Sequence, residues 1–221
     1  SIQGGSRHLS YSVKEIYLTL QGEGAQQGRA AVFCRFAGCN LWSGKEIDRS
    51  TAACNFCDTD FVGTDGPGGA KYPDVESLVG AIELEWAKNI ESNSDRLVVF
   101  TGGEPALQLT SELTRSLRNS GFQCAIETNG TLPIKAELDW ITVSPKTNQK
   151  LEVFAGDELK LVYPQQNIKP ELFEALDFHH FFLQPKDDKN FNKNLRKSIE
   201  YCLKHPRWRL SVQTHKYIGI A

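Results

Sequence analysis

Seven short apolar runs recur along the chain: residues 31–38 (AVFCRFAG), 97–102 (LVVFTG), 122–128 (FQCAIET), 140–145 (WITVSP), 158–163 (ELKLVY), 180–185 (HFFLQP) and 208–214 (WRLSVQT). Each is rich in β-branched or aromatic residues and closes at or beside Gly, Pro, Ser or Thr, the pattern of a buried strand. Helical patterns lie between some of them. Val75, Leu78, Val79, Ile82 and Trp86 share one face, as do Leu113 and Leu117 behind an N-cap at Thr110, and Phe191, Leu195, Ile199, Cys202 and Leu203 repeat the spacing. Strand and helix alternate, which dictates an α/β fold with a mostly parallel sheet. Residues 63–74 (GTDGPGGAKYPD) read as a flexible loop, and no internal repeat interrupts the order.

In such folds functional groups gather where strands end. Polar clusters stand at four of those ends: 101–105 (TGGEP), 127–130 (ETNG), 144–146 (SPK) and 184–187 (QPKD). Their convergence on one mouth is the layout of an active site. Charge excludes other classes. The net charge is −2 and no basic run exceeds a pair, so nothing marks a nucleic-acid binder. No apolar stretch approaches the roughly 20 residues that span a bilayer, so no membrane partner and a cytoplasmic location are expected. Residues 1–9 (SIQGGSRHL) are expected to be a disordered tail or a cloning scar. The remaining 10–221 suffice for a single domain.

Three of six cysteines, Cys39, Cys54 and Cys57, form C-x14-C-x2-C. A CxxC can clasp one metal centre, and a third thiolate from a preceding loop completes a facial trio. Structural zinc requires a fourth ligand, and Cys34, the nearest thiol, falls within the 31–38 run. A redox dithiol sits at a helix start after a strand, whereas this pair precedes DTDF. A disulfide scaffold is the mark of small secreted chains. Three thiolates without a fourth suit an iron–sulfur cluster with one open iron, while zinc and the dithiol stay open as alternatives on spacing alone. Cys34, Cys124 and Cys202 read as small buried hydrophobes.

Six blocks now come in order: QGEG (21–24), FCRFAGCNLW (33–42), CNFCDTDF (54–61), TGGEP, ETNG and SPK. With the ending WRLSVQTHKYIGIA, the chain resembles the 7-carboxy-7-deazaguanine synthase family of radical S-adenosylmethionine enzymes, from about residue 12 onward. The superfamily's usual spacing is C-x3-C-x2-C. The fourteen-residue gap matches a subgroup in which SGKEIDRSTAA (43–53) is additional cluster-loop structure. The resemblance implies a partial, reduced (β/α) barrel of the radical SAM type with an expanded cluster loop over 39–57. It implies a lyase that converts 6-carboxy-5,6,7,8-tetrahydropterin to 7-carboxy-7-deazaguanine with loss of ammonia, in queuosine and 7-deazapurine biosynthesis. S-adenosyl-L-methionine is regenerated in that reaction. A homodimer and an electron donor such as flavodoxin or ferredoxin are implied as partners.

By the same resemblance, Cys39, Cys54 and Cys57 hold a [4Fe-4S] cluster. Phe56, Cys57, Asp58, Gly103, Glu104, Ser144, Pro145, Lys146 and Gln184, Pro185, Lys186 and Asp187 contact S-adenosyl-L-methionine. Gly102 and Gly103 carry no Cβ to obstruct that approach, and Glu104 is expected to accept from the cofactor ammonium. Leu20, Gln21, Gly22, Glu23, Arg35, Thr101, His215 and the carboxylate of Ala221 contact the pterin. Arg35 suits a carboxylate through its forked donors. The pair Asp58 and Asp60 invites a carboxylate site for a hard cation, but the family pattern puts Mg2+ on Thr59. His179 and His180 match nothing and read as structural. Two rivals remain: a radical SAM activase of a partner protein, and a non-catalytic zinc-binding module.

Overall fold

The structure, a computed structural model, describes residues 10–88, 90, 92–146 and 148–221; the expected tail over 1–9 lies outside the described residues. Nine strands among them form one sheet. In chain order they are β1 (Tyr11–Leu20), β2 (Ala30–Phe36), β3 (Ala70–Tyr72), β4 (Leu97–Gly102), β5 (Gln123–Thr128), β6 (Trp140–Val143), β7 (Ala155–Tyr163), β8 (Asp177–Pro185) and β9 (Trp208–Leu210). Across the sheet they lie β3-β1-β2-β4-β5-β6-β7-β8-β9. β1 pairs antiparallel with β2 and β3; every pairing from β2 to β9 is parallel. The helices are α1 (Val75–Ala87), α2 (Ser111–Asn119), α3 (Phe191–Lys204) and α4 (Thr214–Ile218). None is long and apolar enough to cross a membrane.

The expected α/β sheet is thus present, and each of the seven apolar runs supplies a strand. Parallel strands covered on both faces are apolar throughout. In β4, Val98 and Phe100 join the core under α1 and α2, while Leu97 and Val99 face the other side with Ala31 and Ala125. Phe36 stacks on Phe100 at 5.8 Å. The expected cap holds α2, where Thr110 accepts from the Leu113 N–H at 3.3 Å, and Asp74 caps α1 by accepting from the Ser77 N–H at 2.8 Å.

Four local expectations change. β1 was not anticipated, because its register shifts between Val13 and Glu15 and so breaks the alternation of Tyr11, Val13 and Ile16. The 63–74 segment is not a free loop. Ala70–Tyr72 pair with Tyr11–Val13, and Gly69 packs where a Cβ would stand 2.2 Å from the Lys14 carbonyl. The 208–214 run leaves the sheet after Leu210 and turns into α4. α3 forms, but its buried positions are Asn194 and Ser198; Ile199 and Leu203 face solvent. Asn194 donates to the Lys186 carbonyl (2.9 Å) and to Asp188 (3.0 Å), so a polar contact seats this helix.

The sheet curls until its ends face each other. The Thr214 N–H donates to the Gly22 carbonyl at 3.0 Å, and the Gly24 N–H to Ser211 Oγ at 3.0 Å. No strand ladder among the described residues closes this seam, so the barrel is partial.

Candidate active site

Parallel strands present their carboxyl ends on one edge, and here the curl gathers those ends around a cavity of about 470 Å³. Residues 21–24, after β1, cross the inside of the curl to meet β5, β7 and β8. Gln21 Nε2 donates to Glu127 Oε1 at 2.9 Å. Glu23 accepts from Lys160 Nζ, from Gln184 Nε2 (3.2 Å) and from Gln213 Nε2 (3.0 Å), and Lys160 also reaches Glu127 at 3.3 Å. Burial alone would push the Glu23 carboxyl up. The Lys160 charge, with the hydrogen bonds from Lys160 and Gln213, outweighs it and holds Glu23 at about 2. For Lys160 burial acts downward, and the three carboxylates Glu127, Glu23 and Glu158 overcome it and raise the ammonium. Both groups are therefore charged at neutral pH.

Two glycines make this turn possible. A Cβ on Gly24, at φ +65°, would stand 2.3 Å from Glu158 Oε1; one on Gly22 would stand 2.1 Å from His215 Nδ1. Glu158 accepts from the Ala25 N–H (2.8 Å) and Thr142 (2.9 Å), and burial pushes its carboxyl up. Arg35 reaches the cavity from β2, its Nε given to Glu15 (2.7 Å) and one Nη to the Tyr17 hydroxyl (3.0 Å). Leu20, Thr101, His215 and Ala221 line the same space, and the Ala221 carbonyl accepts from Thr19 at 2.7 Å.

The opposite wall carries the thiols. Cys54, Phe56, Cys57, Asp58 and Thr59 line it. The Cys54 thiol donates to Cys57, which lowers Cys57 to about 6 and drives Cys54 upward. Cys39 feels both other thiols but stands behind the cavity wall, against Gly103; its Sγ accepts from the Leu41 N–H at 3.4 Å, and burial raises it. A Cβ on Gly103 would fall 2.1 Å from the Gly38 carbonyl and 2.7 Å from Cys39 Cβ; one on Gly102 would fall 2.3 Å from the Phe36 carbonyl. The glycine pair thus lets β4 abut the Cys39 loop, a second use beyond the open approach expected of it. Among the described residues no three His, Cys, Asp or Glu side chains are grouped to hold a single metal ion.

The remaining expected contacts divide. Ser144, Lys146, Gln184, Pro185, Lys186 and Asp187 line the cavity. Lys146 and Lys186 stand 5.7 and 5.6 Å from the Phe56 ring. Lys216 of α4 bridges Asp58 (3.0 Å) and Asp187 (2.5 Å), and Asp60 is tied instead to Lys14 (2.9 Å). Pro145 lies off the wall, its carbonyl accepting from Gln165 at 3.2 Å. Glu104 is fully buried and does not line the cavity; its oxygens accept from the Ala106 N–H (2.9 Å), the Thr128 hydroxyl (2.6 Å) and the Asn129 N–H (2.8 Å). It fixes the 128–131 turn, whose Asn129 donates to Asn40 (3.0 Å) beside Cys39.

Sequence reasoning named no role for Lys160 or Lys216. Lys160 could have been found from Glu158, Lys160 and Val162 alternating with the apolar residues of β7. Lys216 carried no signal, because its partners come from two distant segments.

No protein-family model matches the chain. It is 59% identical to the 7-carboxy-7-deazaguanine synthase of Bordetella pertussis and 57% identical to that of Caulobacter vibrioides, each across 96% of this chain and all of the relative. Among solved structures it matches QueE from Escherichia coli with a TM-score of 0.67 and 29% identity, over 94% of this chain and 96% of that one.

Proposed function

We propose a chemistry for this site on the premise that the chain belongs to the 7-carboxy-7-deazaguanine synthase family, which relatives 53–59% identical along 96% of its length show. It is a radical S-adenosylmethionine enzyme, a lyase that forms 7-carboxy-7-deazaguanine from 6-carboxy-5,6,7,8-tetrahydropterin in queuosine biosynthesis. Its cofactors are an iron–sulfur cluster and S-adenosyl-L-methionine, and its substrate is a small molecule. When bound and reduced, the two cofactors supply the radical that removes hydrogen from C6 of the pterin.

The observation that carries the assignment of residues is one cavity with two unlike walls, thiols on one side and a charged network on the other. Cys39, Cys54 and Cys57 hold the [4Fe-4S] cluster. In support, Cys57 is already held toward thiolate, and the glycine pair brings β4 against the Cys39 loop. Phe56, Asp58, Gly103, Ser144, Lys146, Gln184, Lys186 and Asp187 surround S-adenosyl-L-methionine. Gln21, Glu23, Arg35, Thr101, His215 and Ala221 meet the pterin, and Lys160 fixes the direction in which Glu23 and Glu127 present their oxygens.

Mg2+ belongs on Thr59. Asp58 is engaged by Lys216 and Asp60 by Lys14, on opposite sides of Thr59, which leaves the paired-carboxylate alternative without a free partner. Thr59→Ala is expected to reduce the rate gained from Mg2+, measured by titrating the metal in single-turnover assays; equal gain in both proteins would remove Thr59 from the site. Residues 10–221 act as one catalytic domain, a homodimer in the cytoplasm reduced by a flavodoxin or ferredoxin, with no nucleic-acid or membrane partner. The decisive experiment incubates anaerobically reconstituted, reduced protein with S-adenosyl-L-methionine, Mg2+ and the carboxylated tetrahydropterin. Product of the expected mass supports the reading, and loss of both iron and product on Cys39→Ala, Cys54→Ala or Cys57→Ala locates it. Iron-replete protein that leaves the pterin unchanged would overturn it.

A further inference from the structure

The fourteen residues between Cys39 and Cys54 pose a physical problem. Residues 46–51 form a short 3-10 helix with no buried residue, and Ile47 in its first turn is 86% exposed. The detour is anchored at its base by buried Leu41 and Trp42 and by the Ala53 N–H donating to the Leu41 carbonyl at 3.1 Å, but its middle has no such seat, and its far end carries the CxxC. One side chain answers for much of its order. Arg49 Nε and Nη2 both grip the Glu46 carboxylate, at 2.7 and 2.5 Å. Arg49 Nη1 donates to the carbonyls of Asn55 (3.1 Å) and Cys57 (2.9 Å), between and at the paired cysteines. The guanidinium lies 4.2 Å from the centre of the Trp42 ring, three residues after Cys39. Trp42 is itself buried edge-on against Phe61 and donates to the Lys45 carbonyl at 3.2 Å.

These contacts differ in weight. The Glu46 pair is exposed and contributes little by itself, but it fixes the plane of the fork. Hydrogen bonds from a charged donor to backbone carbonyls are the stronger kind, and the stacked cation adds attraction over an indole face. Four of the five guanidinium N–H groups are used, in one plane, with a ring beneath. An ammonium has no such plane.

Resting on the assignment of the cluster to Cys39, Cys54 and Cys57, we propose that Arg49 is a positioning residue that presets the cluster loop. It pins the CxxC carbonyls to the segment that follows Cys39, so the paired cysteines are held beside that segment before iron is bound. The long gap then behaves, at the cluster, as a short one.

The test compares wild-type, Arg49→Lys and Arg49→Met full-length chains. In the metal-free, reduced proteins, amide hydrogen exchange is followed at residues 53–58 and, as a gauge of the whole fold, in β4 and β5. Arg49→Met should speed exchange at 53–58 by about tenfold, the loss of one charge-assisted hydrogen bond, with β4 and β5 unchanged. Arg49→Lys should restore only part of the protection, since it keeps the charge and loses the fork. Anaerobic reconstitution at limiting iron should give both variants less iron per chain than wild type. Unchanged exchange at 53–58 in Arg49→Met overturns the proposal. So does an equal acceleration in β4 and β5, which would make Arg49 a prop of the whole fold. A wild-type chain that takes up no iron and sulfide would instead remove the cluster assignment, while the exchange comparison would still report on the loop.

Discussion

Lys160 is a fully charged ammonium enclosed by Glu23 and Glu127, with its side chain 5% exposed. Breaking a buried pair from one side leaves charge without compensation, at a cost of about 3–5 kcal/mol. Lys160→Met is therefore expected to lose stability on that scale, read from urea unfolding at pH 7. Glu23 sets an acid limit. Its carboxyl is held at about 2 in the fold against 4.5 unperturbed, so its contribution is present above pH 4.5 and is lost as pH falls toward 2. Glu23→Gln should unfold with a shallower acid dependence across that window; an unchanged slope would show that Glu23 is not the group being protonated. Gly22→Ala places a Cβ 2.1 Å from His215 Nδ1 and should displace that ring, raising KM for the pterin more than it lowers stability. Glu23 was legible in the QGEG block. Lys160 was overlooked because ELKLVY reads as a buried strand as a whole; the alternation of Glu158 and Lys160 with Leu159 and Leu161 was there, but only the curl turns that polar face into a cavity wall.

Among the elements, α3 and α4 carry the clearest lessons. α3 was visible from its periodicity, yet its apolar residues do not define the buried stripe. Asn194 and Ser198 do, and no hydrophobic pattern announces a polar anchor. Asn194→Ala leaves the Lys186 carbonyl and Asp188 without that donor, and should cost about 1–3 kcal/mol in urea unfolding. The SVQT stretch that leads into α4 has strand character, so the sequence extends β9 through it. The chain departs because Thr214 satisfies the Gly22 carbonyl and not a strand neighbour. Lys216 then joins α4 to Asp58 and Asp187. These pairs are partly exposed, so Lys216→Ala should change stability by less than about 1 kcal/mol. It should weaken S-adenosyl-L-methionine binding several-fold, and added salt should reproduce the effect in wild type but not in the variant, as equilibrium dialysis would show.

For the whole molecule, the parallel strands and their polar ends were legible because local pattern determines both. The antiparallel flank of β1 and β3 and the curl were not. They depend on contacts such as Gly24 to Ser211, 187 residues apart, and on a bulge that hides the period of β1. Hydrogen exchange should be slowest in the central strands β4 to β7 and faster in the three-residue edge strands β3 and β9. Saturation with S-adenosyl-L-methionine and the pterin together should slow exchange at both 21–24 and 211–216; protection of only one of these would mean that they move independently. The join between those two stretches is a handful of bonds to side chains and single carbonyls, with no repeating backbone lattice behind it. A clasp of this kind can be undone without unpicking the fabric on either side. Traffic into and out of the chamber can therefore use that fastening, while the nine-stranded weave stays whole.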